Sequence, residues 1–395
     1  MFKALAYCIC YLIYPFSFLF LRKKNRYAFG SFRGAFNDNA KYLFIYANEH
    51  CRDRELAWIS NNSETVALVR GLGYRAYRST SLRGVLYALT SRYWFFNAYT
   101  SDIMFCLSRG AVCINLWHGV GLKRIEFNTV SGPLADRYIK RKFKEVFFHP
   151  ESFRRPDYLL TSSPFQTSMF AKAFRIPESR CLEYGYPRNA ILKAIKPEIL
   201  EFINRYEPPF TSALLAEFEN FSKVYIYMPT WRDSQREIFI QNLDLQKLNE
   251  ALSAKGELLL LKPHANTVVT DEIGGYSNIR LIDSKCDVYP LLPFTDILIT
   301  DYSSILYDYI LMPGKAVLLY LYDYARYVGE RDFYYPFDEN VIGQRVYDSD
   351  ELIAAILKGV PILDEDARLS LVNKFWGSSH TDDSCGRILK ITAKW

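Results

Sequence analysis

The sequence contains no CxxC pair and no Cys/His cluster, which removes structural zinc and a disulfide framework from consideration. Its eight cysteines stand singly, most of them inside apolar runs. They read as small core hydrophobes, as suits a reducing cytoplasm. There is no GxxxxGKS/T phosphate loop, no GxGxxG dinucleotide fingerprint and no GxSxG nucleophile elbow. No internal repeat or low-complexity tract is found, and the well-mixed charged residues rule out general disorder. The apolar N-terminal stretch lacks a small-residue cleavage site, which argues against a removable signal peptide.

Excess positive charge is also lacking along most of the chain. The net charge is +6, and Lys3, Arg22, Lys23, Lys24, Arg26 and Arg33 all precede the first acidic residue, Asp38. Those residues equal the whole excess, and the remainder is balanced. A nucleic-acid protein carries its basic footprint on the folded body, so no nucleic-acid partner is expected. Here the charge adjoins an uncharged apolar run from Ala4 to Leu21, interrupted by Pro15. This pairing points to an anionic membrane surface, with residues 1–26 acting as a membrane anchor or an in-plane segment. A buried core segment is the plainer alternative. Basic residues following a span place the body on the cytoplasmic face, so the chain is expected there, either peripheral or N-terminally anchored. Residues 136–149 form a second basic-aromatic stretch, readable as a membrane-surface helix or as a solvated helix face.

At 395 residues, half of them apolar and 16% aromatic, the chain has material for two cores. Short apolar runs alternate with amphipathic stretches, the signature of parallel α/β sheets. Strands are expected at Tyr42–Ala47, Thr65–Val69, Tyr93–Tyr99, Cys113–Trp117 and Tyr158–Ser162 in the first half. The second half offers Val224–Met228, Glu257–Leu261, Ile279–Ile282, Ile297–Thr300 and Ala316–Tyr322. A charged, proline-containing segment from about Ala190 to Phe221 reads as the connection. The expected division is therefore 27–200 for a first Rossmann-like domain and 201–395 for a second.

The unusual polar residues fall just past predicted strands, where open α/β sheets bind ligands. His118 follows CINLW, and its flanking Gly119 and Gly121 permit close backbone approach. A near-neutral imidazole there suits proton removal from an alcohol. Arg232 follows VYIYMPTW, and Lys262 and His264 follow ELLLL. Asp301, Ser303 and Ser304 follow ILIT, with Asp308 one helical turn beyond Ser304. An arginine fork, a Lys/His pair and a serine-capped helix start would each attract phosphate. Taken singly, each residue has a plainer reading. His118 and His264 fit as structural histidines, Arg232 as a salt-bridged surface residue, and the serines as an ordinary helix cap. The paired acids Asp332 and Asp338 lie among aromatics and read as a packed loop, and no ligand cluster asks for a metal.

Taken in order, the blocks DNAKYLF (38–44), LWHGVGLKRI (116–125), YGYPRNAIL (184–192), YMPTWRD (227–233), KPHAN (262–266) and LITDYSSILYDY (298–309) resemble the CDP-glycerol glycerophosphotransferase family, the primases and polymerases of teichoic acids and related capsular polymers. The likeness runs over roughly residues 26–380, including YLYDYARYVGERDFYYPFDE (320–339). Two positions depart from the family pattern: Ala265 replaces a usual proline, and Ala190 a usual aspartate.

The resemblance implies a GT-B architecture, two Rossmann-like domains facing across a cleft with the CDP donor on the C-terminal one. It implies His118 as general base, with His264 as a second catalytic candidate. Arg232, His264, Ser303, Ser304, Asp308 and Lys262 fall at donor-binding positions. The implied reaction is attack of an acceptor hydroxyl on the β-phosphorus of CDP-glycerol or another CDP-polyol, expelling CMP. The acceptor would be a lipid-linked saccharide or a growing polymer, and neither a cofactor nor a metal is called for. A GT-B glycosyltransferase using a nucleotide sugar is the enzymatic alternative, and a non-catalytic membrane scaffold the other.

Overall fold

The computed structural model describes residues 2–132, 134–230, 242–263, 275–283, 286–330, 332–381 and 383–393. The chain divides into two compact units. Unit 1 comprises residues 1–120, 124–190 and 375–395, and unit 2 comprises 121–123 and 191–374. The expected linear division differs from this at its C-terminal end. Residues 375–395 return to unit 1, where Thr392 Oγ1 accepts from Tyr27 Oη at 2.7 Å and Phe375 O accepts from Ser162 Oγ at 2.6 Å.

Unit 1 is built on a seven-stranded sheet: β1 (Lys23–Phe29), β2 (Glu55–Ser60), β3 (Ala76–Arg78), β4 (Ser91–Phe96), β5 (Val112–Asn115), β6 (Tyr158–Thr161) and β7 (Cys181–Glu183). Their order is β3-β2-β1-β4-β5-β6-β7, with every pairing parallel. The order reverses between β1 and β4, making that edge a topological switch point. The core along these strands is aromatic, with Phe29 stacked on Phe95 at 4.8 Å and Phe36 edge-on to Trp58 at 4.8 Å.

Two expected strands are helices. Tyr42–Ala47 lies within the helix Asp38–His50, and Thr65–Val69 within the helix Ser63–Gly71. In the first, Ala40, Leu43, Phe44 and Ala47 are fully buried, an i, i+3, i+4, i+7 stripe that the all-apolar run YLFIYA conceals. In the second, Asn62 caps the Glu64 and Thr65 N–H groups, and Leu68 stays exposed.

The N-terminal segment also departs from expectation. No helix among the described residues is long and apolar enough to cross a membrane. Residues Phe2–Ile13 form a 12-residue helix, and Pro15 turns the chain into the 3-10 helix Tyr14–Leu19. Such a helix is about 18 Å long, short of the roughly 30 Å hydrocarbon core. Nor are Arg22 and Arg26 of the basic cluster that follows free, although Lys23 and Lys24 are exposed. Arg22 donates to four carbonyls, those of Ala88, Ser91, Leu107 and Arg109, at 2.7–3.0 Å. Arg26 faces Glu55 in the β1–β2 register and bonds its carboxylate.

Unit 2 is built on a six-stranded sheet: β8 (Val224–Met228), β9 (Leu258–Leu261), β10 (Ile279–Leu281), β11 (Ile297–Thr300), β12 (Ala316–Tyr320) and β13 (Gln344–Val346). The order is β10-β9-β8-β11-β12-β13, again all parallel, with the switch point between β8 and β11. Both strands at that switch are buried along nearly their whole length, which is why their sequences read as unbroken apolar runs. One face is covered by Leu245, Leu248 and Leu252 from the helix Leu245–Lys255 and by Leu352 and Ile356 from the helix Ser349–Lys358.

Candidate functional site

In unit 1, His118 lies just past β5, beside the carboxyl end of β4. Its Nδ1 is 3.2 Å from the Asn97 carbonyl. A carbonyl only accepts, so Nδ1 carries the proton and Nε2 is left as the basic nitrogen. Residue 118 keeps an exposed edge, while the packed protein around its other sides lowers the imidazole's pKa below the ordinary 6.5. Loss of water is the leading cause. Asp38 opposes it, as does the bond to Asn97, and Arg188 reinforces it.

The residues that hold this ring come from distant parts of the chain. Asp102, buried, accepts the Asn97 and Ala98 N–H groups at 3.1 and 2.9 Å, and so fixes the carbonyl that orients His118. Burial pushes the Asp102 carboxyl up to about 7. Asn97 Oδ1 accepts from Ala40 N at 2.9 Å, and Asn97 Nδ2 donates to Ser31 Oγ at 2.8 Å. Asn115 Oδ1 accepts from Trp117 N at 2.8 Å, and Asn39 Nδ2 donates to Trp117 O at 2.9 Å. Trp117 itself has φ +54°, a left-handed conformation unusual for a bulky residue. Its ring is wedged edge-on against Phe174 at 4.9 Å, and its centroid lies 4.1 Å from that of His118. Strain of this kind costs about 1–3 kcal/mol and persists only where surrounding contacts over-determine it. Here two asparagines and an aromatic wedge do so. Gly30 shows the same crowding, since a Cβ there would stand 2.5 Å from the Asp102 carbonyl oxygen.

In unit 2, the predicted residues lie past β9, β8 and β11, three adjacent strands. Arg232 and His264 lie outside the described residues. Lys262 is buried, and its Nζ donates to the Asp283 carbonyl at 2.7 Å. Burial lowers its pKa to about 8, against smaller opposing pulls from Cys286, Asp283 and Asp287. Asp301 Oδ1 accepts from Thr230 N at 2.8 Å and Tyr302 N at 2.6 Å. One carboxylate thus joins the exits of β8 and β11, two residues before Arg232. Ser303 and Ser304 are half-buried. Ser303 Oγ makes a long contact of 3.4 Å with Ile305 N, and Ser304 makes no capping bond. The helix they open, Ile305–Tyr309, has only five residues, so its dipole adds little and the hydroxyls themselves are the feature of interest. Asp308 is fully buried, with Oδ2 accepting from Tyr289 Oη at 3.0 Å.

Sequence reasoning did not single out Asn39, Asn97, Asp102, Asn115 or Trp117 in unit 1, or Tyr289 in unit 2. Asp38, Asn39, Trp117 and Arg188 sat inside recognised blocks without an assigned role. Among the described residues, no three His, Cys, Asp or Glu side chains converge as metal ligands would.

Two parallel sheets, each wound in both directions with polar side chains past its strand ends, define a doubly wound α/β protein of the kind that takes ligands at those ends. The chain belongs to the CDP-Glycerol:Poly(glycerophosphate) glycerophosphotransferase family, which matches residues 12–376, and is therefore an enzyme. It is 29% identical over 344 residues to a teichoic acid glycerol-phosphate transferase of Staphylococcus aureus, covering 85% of this chain and 84% of that one. It is also 29% identical over 331 residues to a teichoic acid poly(glycerol phosphate) polymerase of Staphylococcus epidermidis. That match covers 81% of this chain but 44% of the polymerase, so the chain spans less than half of that relative's length. The solved structure of the wall teichoic acid polymerase TagF has the same fold, with a TM-score of 0.74 at 23% identity, covering 94% of this chain and 89% of that one.

Proposed function

We propose that this enzyme transfers glycerol phosphate from CDP-glycerol to a hydroxyl of a growing polymer or lipid-linked saccharide and releases CMP. The observation that carries the reading is the 3.2 Å approach of His118 Nδ1 to the Asn97 carbonyl. The ring's Nδ1–H is committed to that carbonyl, which leaves Nε2 to take a proton. In the proposed step, Nε2 removes the proton of the acceptor hydroxyl and the oxygen attacks the donor's β-phosphorus in line. The bond from that phosphorus to the bridging oxygen breaks, and CMP departs with the electron pair. A phosphate monoester has a second pKa of about 6, so CMP leaves as an anion without a strong acid. The remaining task is to position the donor and neutralise its charge. In this reading, unit 1 supplies the base, and the donor-binding residues are Lys262, Ser303, Ser304, Arg232 and His264, with Asp308 accepting from Tyr289.

Incubating the purified enzyme and membranes with CDP-glycerol, CDP-ribitol and a panel of sugar nucleotides tests this reading. CMP release with glycerol-phosphate additions visible by mass is expected. Turnover with sugar nucleotides alone would replace the reading with glycosyl transfer, and no turnover with any donor would leave a scaffold.

The same reading includes an in-plane membrane contact on the cytoplasmic face. Leu12, Phe16, Leu19 and Leu21 are 70, 61, 65 and 92% exposed. The N-terminal helix bearing Tyr11 stacks on Phe147 at 5.5 Å, and Phe143 of the helix Phe143–Phe148 is 78% exposed. Apolar side chains beside exposed Lys23 and Lys24 suit an anionic bilayer surface. Sedimentation with anionic vesicles, lost in a Leu12→Ser, Leu19→Ser, Leu21→Ser variant, is expected. Wild-type protein remaining in the supernatant would contradict it.

A further inference from the structure

The base reading leaves one pair of charges beside His118 without a task. Asp38 opens the helix Asp38–His50 with φ +59°, a left-handed conformation for a non-glycine residue. Its Oδ1 accepts from Asn39 N at 2.8 Å and from Arg188 Nη1 at 2.6 Å. The same Arg188 Nη1 donates to the His118 carbonyl at 3.0 Å, while Arg188 N donates to Asn39 Oδ1 at 3.2 Å. The Arg188 side chain is 3% exposed and that of Asp38 20%. Three segments far apart in sequence (38–39, 116–118 and 188) are thereby clasped around one histidine.

A buried guanidinium needs an anionic partner, but that requirement does not explain why the pair closes on the peptide of His118. We propose that Asp38 and Arg188 are positioning residues that set the charge state of His118, the carboxylate favouring the imidazolium formed during transfer and the guanidinium opposing it. The proposal rests on His118 being the base. The pairing makes the two effects partly cancel, so the histidine stays neutral and basic at rest while its protonated form keeps a nearby counter-charge. Among the described residues, the charged groups packed on the His118 segment are Asp38, paired with Arg188 at 2.6 Å, and Arg188, bonded to the His118 carbonyl. Asp102 stands behind Asn97 with Oδ2 committed to two backbone N–H groups. The opposed signs are what distinguish tuning from a purely mechanical clasp.

The test is an NMR titration of the His118 imidazole in the full chain, with the resonance assigned by its loss in His118→Ala. Asp38→Asn keeps the size and an acceptor oxygen, and is expected to lower the midpoint by about one unit. Arg188→Gln is expected to raise it by a similar amount, and Arg188→Lys to leave it near wild type. The acid limb of kcat/KM should move in the same directions. Midpoints that do not move, or that move the same way in both variants, would overturn the proposal. Should Arg188→Gln fail to fold, the near-isosteric Asp38→Asn titration decides alone. Turnover by His118→Ala is a separate readout. Wild-type CMP release there would defeat the base reading, whereas an inactive His118→Ala with unmoved titrations would defeat only the pair.

Discussion

Replacing Lys262 by methionine should make the protein more stable and less able to bind its donor. The lysine is buried, with its pKa lowered to about 8 by loss of water. Against an ordinary value of 10.5, holding the ammonium in the fold costs about 3 kcal/mol at pH 7. Methionine removes that cost and fills similar space, but forfeits the bond to the Asp283 carbonyl, worth about 1 kcal/mol. The net gain is about 2 kcal/mol, or a rise in Tm of roughly 4–8 °C for a unit of this size. The pH dependence follows from the sign of the shift. Because the folded pKa lies below the unfolded one, the destabilisation is complete below about pH 8 and fades as pH rises toward 10.5. The advantage of the variant in a thermal melt should therefore shrink between pH 8 and 10. Calorimetric titration with CDP-glycerol should show a loss of donor affinity of at least tenfold in the same variant. A lower Tm together with unchanged donor affinity would mean that Lys262 is an ordinary structural lysine and would refute this reasoning.

Two further outcomes are expected in unit 2. Asp301→Ala strands the buried N–H of Tyr302 and the half-buried N–H of Thr230, and should cost about 1–3 kcal/mol in chemical denaturation, with Asp301→Asn milder. An unaffected denaturation midpoint in Asp301→Ala would contradict that account. Ser303→Ala combined with Ser304→Ala should cost under about 1 kcal/mol of stability, since neither hydroxyl makes a strong cap. The donor KM should nevertheless rise about tenfold, as expected for lost bonds to phosphate. A large loss of stability with an unchanged KM would assign the serines to the fold instead.

Much of unit 2 is legible in the sequence. Val224–Met228 and Ile297–Thr300 coincide with β8 and β11 because strands buried on both faces must be continuously apolar. Unit 1 was harder to read. Strand β1 begins in Lys23, Lys24 and Asn25, exposed residues that mask the buried Tyr27–Phe29 half. The helix Asp38–His50 is so fully buried that its apolar run lost the helical period. At the site, His118, Lys262 and the serine pair could be placed because strand ends are where such sheets present side chains. The clasp on His118 could not be placed in the same way. Arg188 meets Asp38 across 150 positions of sequence, and Asn97 acts through a backbone carbonyl that no side-chain motif records.

The central claim is polyol-phosphate transfer with His118 as the base. It is tested most directly by the rate of CMP release from saturating CDP-glycerol, with acceptor present, for wild type and His118→Asn. A fall in kcat of at least about 100-fold is expected, with donor affinity by calorimetry within about twofold of wild type, since the proposed donor residues follow β8, β9 and β11 in the sequence. CMP release by His118→Asn at the wild-type rate would contradict it.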